Sequence, residues 1–331
     1  MIARPQRAAA ATLASQRFSE RRKRRPRSLL SVAELDAGLL RGLVDLGLES
    51  KRRPRDFAQA LAGRSLALLF QKTSTRTRCS FEAAAHEMGA RASYVEWARS
   101  NFVLADLRDE VVVMSRYYDL IVARVDEHRT LQVMAEESEV PIVNGLCELH
   151  HPCQAVSDIL TLREYFGADL RGLRIAFVGD ENNVCRSLLQ AAALAGARVA
   201  LCSPPGYRLA PALEPFALSC VERVDDPFDA VAAADVVYTD TWVSMGREGE
   251  LQQRLQAFAG LCVDERLMDA APAEALFMHC LPAHPGQEVS AGVLRSPRSV
   301  VFEQAENRKH AQKALLLWLL QAEAAGGLLA R

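Results

Sequence analysis

The chain has 331 residues, half of them apolar, with 40 basic and 41 acidic side chains and a formal charge of −1. It is long enough for two domains at about 100–200 residues each, and its charge gives no whole-molecule argument for a nucleic-acid partner. No apolar run approaches the ~18–20 residues that span a bilayer, and eight scattered cysteines without a C-x-x-C pair fit reduced thiols in a cytoplasmic chain better than a disulfide framework or a zinc site.

Residues 1–28 have no acid before Glu20 and end in a dense basic run from Arg21 to Arg27. This composition suits a solvated, disordered tail. One alternative is an organellar transit peptide, which would place the protein in the mitochondrial matrix or a plastid; a nucleic-acid arm is a third reading.

From Ser31 to Ser50 apolar residues recur at helical spacing, with Ser31 as N-cap and Glu34 three residues on. "SLALLF" (65–70) is of strand length, and a helix follows from about Arg76. Next come "ASYVEW" (92–97), a helix near 107–117, "DLIVAR" (119–124), a helix near 128–138 and "VPIVNG" (140–145). A helix at 152–166 then joins two halves, because the texture restarts at "LRIAFVGD" (173–180). It runs on through a helix at 184–195, "ARVALCSP" (197–204), "DVVYTD" (235–240), "ALFMHCLP" (275–282), the strand-like "SVVF" (299–302) and an amphipathic last helix at 304–323.

Apolar strands separated by helices indicate parallel sheets covered on both faces. The predicted fold is α/β: two doubly wound parallel-sheet domains joined by helices, with an active-site cleft between them. The expected division is 29–152, completed by the C-terminal helix at 304–325, and 153–303. Ligands of such sheets sit beyond the carboxyl ends of the strands, which selects the loops at 71–77, 124–128, 145–154, 180–183, 240–246 and 279–284.

Those loops hold the unusual polar residues. "TSTRT" (73–77) opens a helix, whose free N–H groups and dipole favour an anion. Ser74, Thr75 and Thr77 add hydroxyl donors and Arg76 a planar fork. The P-loop glycines are missing, so a small phosphate or carboxylate fits better than a nucleoside triphosphate; an N-cap cluster with a surface arginine is the plain alternative. "HHPCQAVSD" (150–158) sets His151 and Gln154 on one turn, where imidazole and amide together suit a carbonyl oxygen and an NH2 group.

"VGDENN" (178–183) lacks the glycine fingerprint of a dinucleotide site, leaving Asp180, Asn182 and Asn183 for a small polar ligand or a capping turn. "YTDTWVSMG" (238–246) offers Asp240 to a cation and Ser244 to an amino-acid headgroup. In "MHCLPAH" (278–284) Cys280 could be a nucleophile, a base or a contact. Arg308, in "QAENRKH", is a further guanidinium.

Together, "STRTR", "HPCQ", "DTWVSMG", "HCLPAH" and "FEQAENR" resemble, in order, the aspartate/ornithine carbamoyltransferase family, and its ornithine branch in particular. The resemblance implies transfer of the carbamoyl group of carbamoyl phosphate to the side-chain amine of L-ornithine, giving L-citrulline and phosphate, by a homotrimer with no metal or other cofactor. It implies that Ser74, Thr75, Arg76 and Thr77 hold the phosphate and that Arg124 bridges phosphate and carbonyl oxygen. His151 would polarise the carbonyl, Gln154 and the Leu281 backbone carbonyl would hold the NH2 group, and Arg308 would add positive charge. Asn183, Asp240, Ser244 and Met245 would bind ornithine, with Asp240 and Cys280 beside the reacting amine.

One stretch departs from the family pattern. Members carry after the second strand a polar loop with a Gln and a Gly/His-Lys-Glu stretch that reaches a neighbouring subunit's site. Here it reads "EWARSNFVLADLRDE" (96–110), with no lysine and an apolar centre. Arg99, Ser100 and Arg108 are the candidate substitutes. This departure keeps two alternatives open: a carbamoyltransferase for another amine (putrescine, lysine or a modified ornithine), or a non-catalytic paralogue that binds these ligands.

Overall fold

The structure, a computed structural model, describes residues 26–209, 215–243 and 248–320. The expected basic tail therefore lies outside the described residues up to position 25, as do Ser244, Met245 and the stretch after 320.

The first half carries β1 (Ser65–Phe70), β2 (Arg91–Glu96), β3 (Leu120–Arg124) and β4 (Ile142–Leu146), all parallel and ordered β2-β1-β3-β4. The second carries β5 (Arg174–Val178), β6 (Arg198–Cys202), β7 (Val221–Arg223), β8 (Val236–Thr239) and β9 (Leu276–His279), parallel in the order β7-β6-β5-β8-β9. The two α/β sheets agree with the expected fold class. Each sheet has one point where the chain reverses its direction of build: between β1 and β3, and between β5 and β8. At such a point the neighbouring loops part and leave a crevice. The chain at and just beyond the ends of these four strands carries Ser74–Thr77, Arg124, Asp180–Asn183 and Asp240.

The helices that matter for the site are α1 (Ala37–Arg52), α2 (Thr75–Glu87), α3 (Leu107–Met114), α4 (His128–Glu137), α5 (Pro152–Phe166), α6 (Asn183–Ala195), α7 (Leu251–Ala257) and α8 (Val301–Leu319). Alternate strand residues point to opposite faces. Leu66, Leu68 and Phe70 of β1 and Ile175 and Phe177 of β5 therefore share one core with α1, α5, α6 and α8. Ala67 and Leu69 face a separate outer cluster, and Ala176 and Val178 another. One continuous core thus ties the two sheets together. Gly47 of α1 lets the helices close up: a Cβ there would stand 2.5 Å from Leu160 Cδ1 and 3.2 Å from the His310 carbonyl.

The structure departs from the expected elements in four places. Ser31 caps a single 3-10 turn, Val32–Glu34, and α1 starts only at Ala37, where Asp36 accepts the Leu39 N–H at 2.7 Å. Leu35 is extended between them, so the periodic run splits into turn and helix. "SVVF" is no strand: Ser299 makes one bridge to Phe277 and the chain is helical from Val301. The last helix buries its polar side as well, including Gln304, Asn307, Arg308 and Lys313, because α1, α2 and α5 surround it. β7 escaped the sequence reading, being three residues long and largely exposed at an edge.

Candidate active site

α2 begins directly after β1, and its N-cap Ser74 makes no side-chain capping bond. Among the described residues the first-turn N–H groups have no side-chain acceptor, which is the condition for anion binding. The Ser74 hydroxyl instead accepts from Arg124 Nη1 at 3.2 Å. Arg124 ends β3 and is buried, and its Nε has no partner among the described residues.

Arg308, projecting from α8, is buried too. It donates from Nη1 to Gln154 Oε1 at 2.6 Å and from Nη2 to Thr77 Oγ1 at 3.0 Å. Arg76 is open to the cleft. Burial, then Arg308 and Arg76, push Arg124 down to about 10. The carboxylate that acts on Arg124, Asp126, is itself paired with Lys72 at 2.7 Å. The three guanidiniums lie close together, the arrangement a dianion would relieve.

His151 precedes Pro152 at the start of α5. Burial, with Arg308, Arg124 and Arg76, holds its pKa well below the ordinary histidine value. The imidazole is therefore neutral, and its Nδ1 has no partner among the described residues. A neutral ring can donate one N–H to a carbonyl oxygen without adding a further charge.

The second half of the site grows from β5, β8 and β9. Gly179 takes a φ of 141°, and a Cβ there would lie 3.2 Å from Thr239 Oγ1, so the turn after β5 passes tightly over the end of β8. Asn182 caps α6 by accepting from Val184 and Cys185, and its Nδ2 donates to Asp240 Oδ2 at 2.8 Å. Cys280 Sγ donates to Asp240 Oδ1 at 2.9 Å. Burial and that carboxylate hold the thiol well above its ordinary pKa, so Cys280 is a neutral donor and not a thiolate nucleophile. Asn183 Nδ2 donates to the Cys147 carbonyl at 2.6 Å.

Leu281 has a φ of 57°, a left-handed backbone that a branched side chain rarely adopts. His279 holds this turn, with Nδ1 accepting the Leu281 N–H at 2.8 Å and Nε2 facing Glu288 Oε1 at 3.4 Å. Asp240, His279 and Cys280 offer ligand atoms within 4.8 Å of one another, but His279 Nδ1 and the thiol are already engaged in these bonds.

Both halves open into one cleft of about 1330 Å³. Ser74, Thr75, Arg76, Thr77, Arg124, His151, Gln154 and Arg308 line it, together with Asn183, Asp240, Cys280 and Leu281. Asp180 also lines it, but as the ion-pair partner of Arg254, whose Nη1 lies 2.8 Å away. Arg254 of α7 was missing from the sequence reading. It is buried, reaches the Trp242 carbonyl and Glu250, and lies over the Tyr207 ring. Only its "QQRLQ" context was legible, that of an ordinary surface helix.

The stretch at 96–110 folds as two 3-10 turns, Trp97–Arg99 and Asn101–Val103, followed by the start of α3, with Trp97 against Phe102 at 4.7 Å. It does not line its own chain's cleft. Arg99 pairs with Glu96, Arg108 with Glu137, and Ser100 Oγ donates to the Trp97 carbonyl, so the three candidate substitutes are engaged locally. Leu104 is 84% exposed at the tip.

A model of the carbamoyl-phosphate-binding domain of aspartate/ornithine carbamoyltransferases matches residues 27–164, and a model of their Asp/Orn-binding domain matches residues 171–319. The chain belongs to the aspartate/ornithine carbamoyltransferase family. Within the family it is 46% identical over 272 residues to an ornithine carbamoyltransferase of Methanoculleus marisnigri, covering 81% of this chain and 86% of that one. It is 42% identical over 301 residues to that of Archaeoglobus fulgidus, covering 89% and 98%. Among solved family structures, ornithine carbamoyltransferase from Thermus thermophilus superposes with a TM-score of 0.82 at 39% identity, covering 89% of this chain and 99% of that one. The Pyrococcus furiosus enzyme gives 0.83 at 39% identity, covering 88% and 96%. Ser74–Thr77, Arg124, His151 and Gln154 fall in the first matched region, and Asp240, Cys280 and Arg308 in the second.

Proposed function

We propose that the chain is an ornithine carbamoyltransferase, joining the carbamoyl group of carbamoyl phosphate to the side-chain amine of L-ornithine to give L-citrulline and phosphate. The observation that carries this reading is the single cleft shared by the arginine pocket and the Asp240–Cys280 pair. In this reading the phosphate sits on the N-terminus of α2 with Ser74, Thr75, Arg76, Thr77 and Arg124. Neutral His151 donates to the carbonyl oxygen, and Gln154 and the Leu281 carbonyl receive the carbamoyl NH2 group.

The amine attacks the carbonyl carbon and a C–N bond forms; the bond from that carbon to the bridging oxygen breaks with its electron pair leaving on phosphate, which takes the proton the attacking nitrogen then sheds. Binding the two substrates together removes most of the entropic cost of the encounter, and the guanidiniums stabilise the developing oxyanion. A free primary amine has a pKa near that of lysine, ~10.4, so it must shed a proton before it attacks. Asp240 is the acceptor close at hand, with Asn182 and Cys280 holding its two oxygens. Asn183, and Ser244 and Met245 beyond the described residues, would bind the amino-acid end.

We further propose assembly as a homotrimer, a cytoplasmic setting and a place in arginine biosynthesis. The domain division at 152/153, with the last helix returning to the first half, belongs to the same reading. A second reading, transfer to a different amine, is favoured by one feature, the lysine-free stretch at 96–110. Purified protein given carbamoyl phosphate and a panel of amines decides between them. Citrulline from ornithine is expected; carbamoylation of putrescine or lysine in its place would move the assignment to the second reading, and no product with any amine would leave a binding protein.

A further inference from the structure

Behind the cleft lies an acid that none of these roles uses. Asp158 sits on α5 one turn beyond Gln154 and is 1% exposed. Its Oδ1 accepts from Gln154 Nε2 and from Gln304 Nε2, each at 2.8 Å, and its Oδ2 accepts from the Tyr238 hydroxyl at 3.1 Å. Tyr238 is kept neutral by burial and by Asp158 itself, so the phenol is the donor.

A side-chain amide has an acceptor end and a donor end, and a carboxylate has no proton to give. With ionised Asp158 behind it, Gln154 can be satisfied only with its NH2 group turned inward. Its Oε1 then faces the cleft, where it already accepts from Arg308 at 2.6 Å. The same logic turns the Gln304 oxygen toward the His279 N–H, 2.9 Å away. Were the Gln154 amide reversed, its NH2 group would meet the Arg308 guanidinium and the carbamoyl NH2, donor against donor.

We propose that Asp158 is a positioning residue for carbamoyl transfer, fixing the Gln154 amide so that its oxygen and not its nitrogen is offered to the carbamoyl NH2 group. This rests on the carbamoyl-transfer reading above. The charged and titratable groups that face Asp158 are Arg308 from α8, Tyr238 from β8 and Cys280 from the turn after β9. Burial raises the Asp158 carboxyl to about 6, against the pull of its three hydrogen bonds and Arg308. Below that pH the acid gains a proton it can donate, and the constraint on Gln154 is lost.

The test is citrulline formation at varied carbamoyl phosphate and ornithine, from about pH 5 to about pH 9, for the wild-type protein, Asp158→Asn, Gln154→Leu and the double variant. Asp158→Asn leaves one acceptor oxygen for three donors. Its KM for carbamoyl phosphate is expected to rise about tenfold, while that for ornithine stays within about threefold. Because Asp158 acts through Gln154, adding Asp158→Asn to Gln154→Leu should raise the carbamoyl phosphate KM no further. The rise in that KM on acidification through pH 6 should be steeper in wild type than in Gln154→Leu. This comparison still decides the matter if Asp158→Asn does not fold. Additive effects, equal rises in both KM values, or identical acid limbs would overturn the proposal. Absence of citrulline from the wild type would instead overturn the reading on which it rests.

Discussion

Cys280 Sγ donates to Asp240 Oδ1 at 2.9 Å, while Asn182 Nδ2 holds the other oxygen at 2.8 Å. The carboxylate is thereby fixed from two sides by neutral donors, and its remaining lone pairs are available to an incoming amine. Asp240→Ala should chiefly impair the amine substrate, with carbamoyl phosphate binding retained. Cys280→Ala removes one donor and should cost about tenfold in kcat/KM for the amine. Steady-state kinetics with each substrate varied in turn will check both; a defect confined to carbamoyl phosphate would contradict this division of labour.

The same contact predicts sluggish thiol chemistry. Burial and Asp240 raise the Cys280 pKa well above its ordinary value, and the thiolate is the reactive form. At about pH 8 alkylation followed by peptide mass mapping should label exposed Cys79 first and Cys280 late. Asp240→Asn should speed labelling of Cys280.

Arg76, Arg124 and Arg308 crowd one another in the absence of an anion. Phosphate at about a hundredfold excess over its Kd should therefore raise the melting temperature by about 4 °C. Arg76→Ala should abolish that rise and measurable activity, yet leave the melting temperature of the unliganded protein unchanged or slightly higher. A phosphate-induced shift that survives in Arg76→Ala would remove Arg76 from the anion site.

Arg254 is 1% exposed and is the partner of Asp180. Breaking a buried ion pair from one side costs about 3–5 kcal/mol. Arg254→Met should lose about that much in urea unfolding, and Arg254→Met with Asp180→Asn should recover part of it. An unchanged midpoint would show that the pair contributes nothing.

His310 on α8 is pushed down to about 4 by burial first and then by Lys309, Lys313 and Lys51. The unfolded chain thus binds a proton at higher pH than the folded one, and stability is lost as pH falls from about 6.5 toward 4. Asp158, raised to about 6, contributes with the opposite sign between about 4 and 6. His310→Gln should flatten the fall in stability on acidification and Asp158→Asn should steepen it; unfolding midpoints at three pH values across this window will check the signs.

What the sequence by itself determined is the set of elements and the loops that matter. Apolar runs such as "LALLF" and "IAFV" suit the inside of a covered parallel sheet, and the rule for ligands of such sheets picks out Ser74–Thr77, Arg124 and Asp240 without any coordinates. The five ordered motifs carried the family as well. Tertiary structure alone decided which of these polar residues act on one another. Arg308 is 231 residues from Thr77 and 154 from Gln154, yet bonds both, and Asp180 proved to be held by Arg254 across 74 residues. Local periodicity also misjudged α8, since a helix enclosed by three others hides polar side chains that look solvent-facing in the chain. Such pairings depend on how helices pack, and packing joins residues whose separation along the chain leaves no local trace.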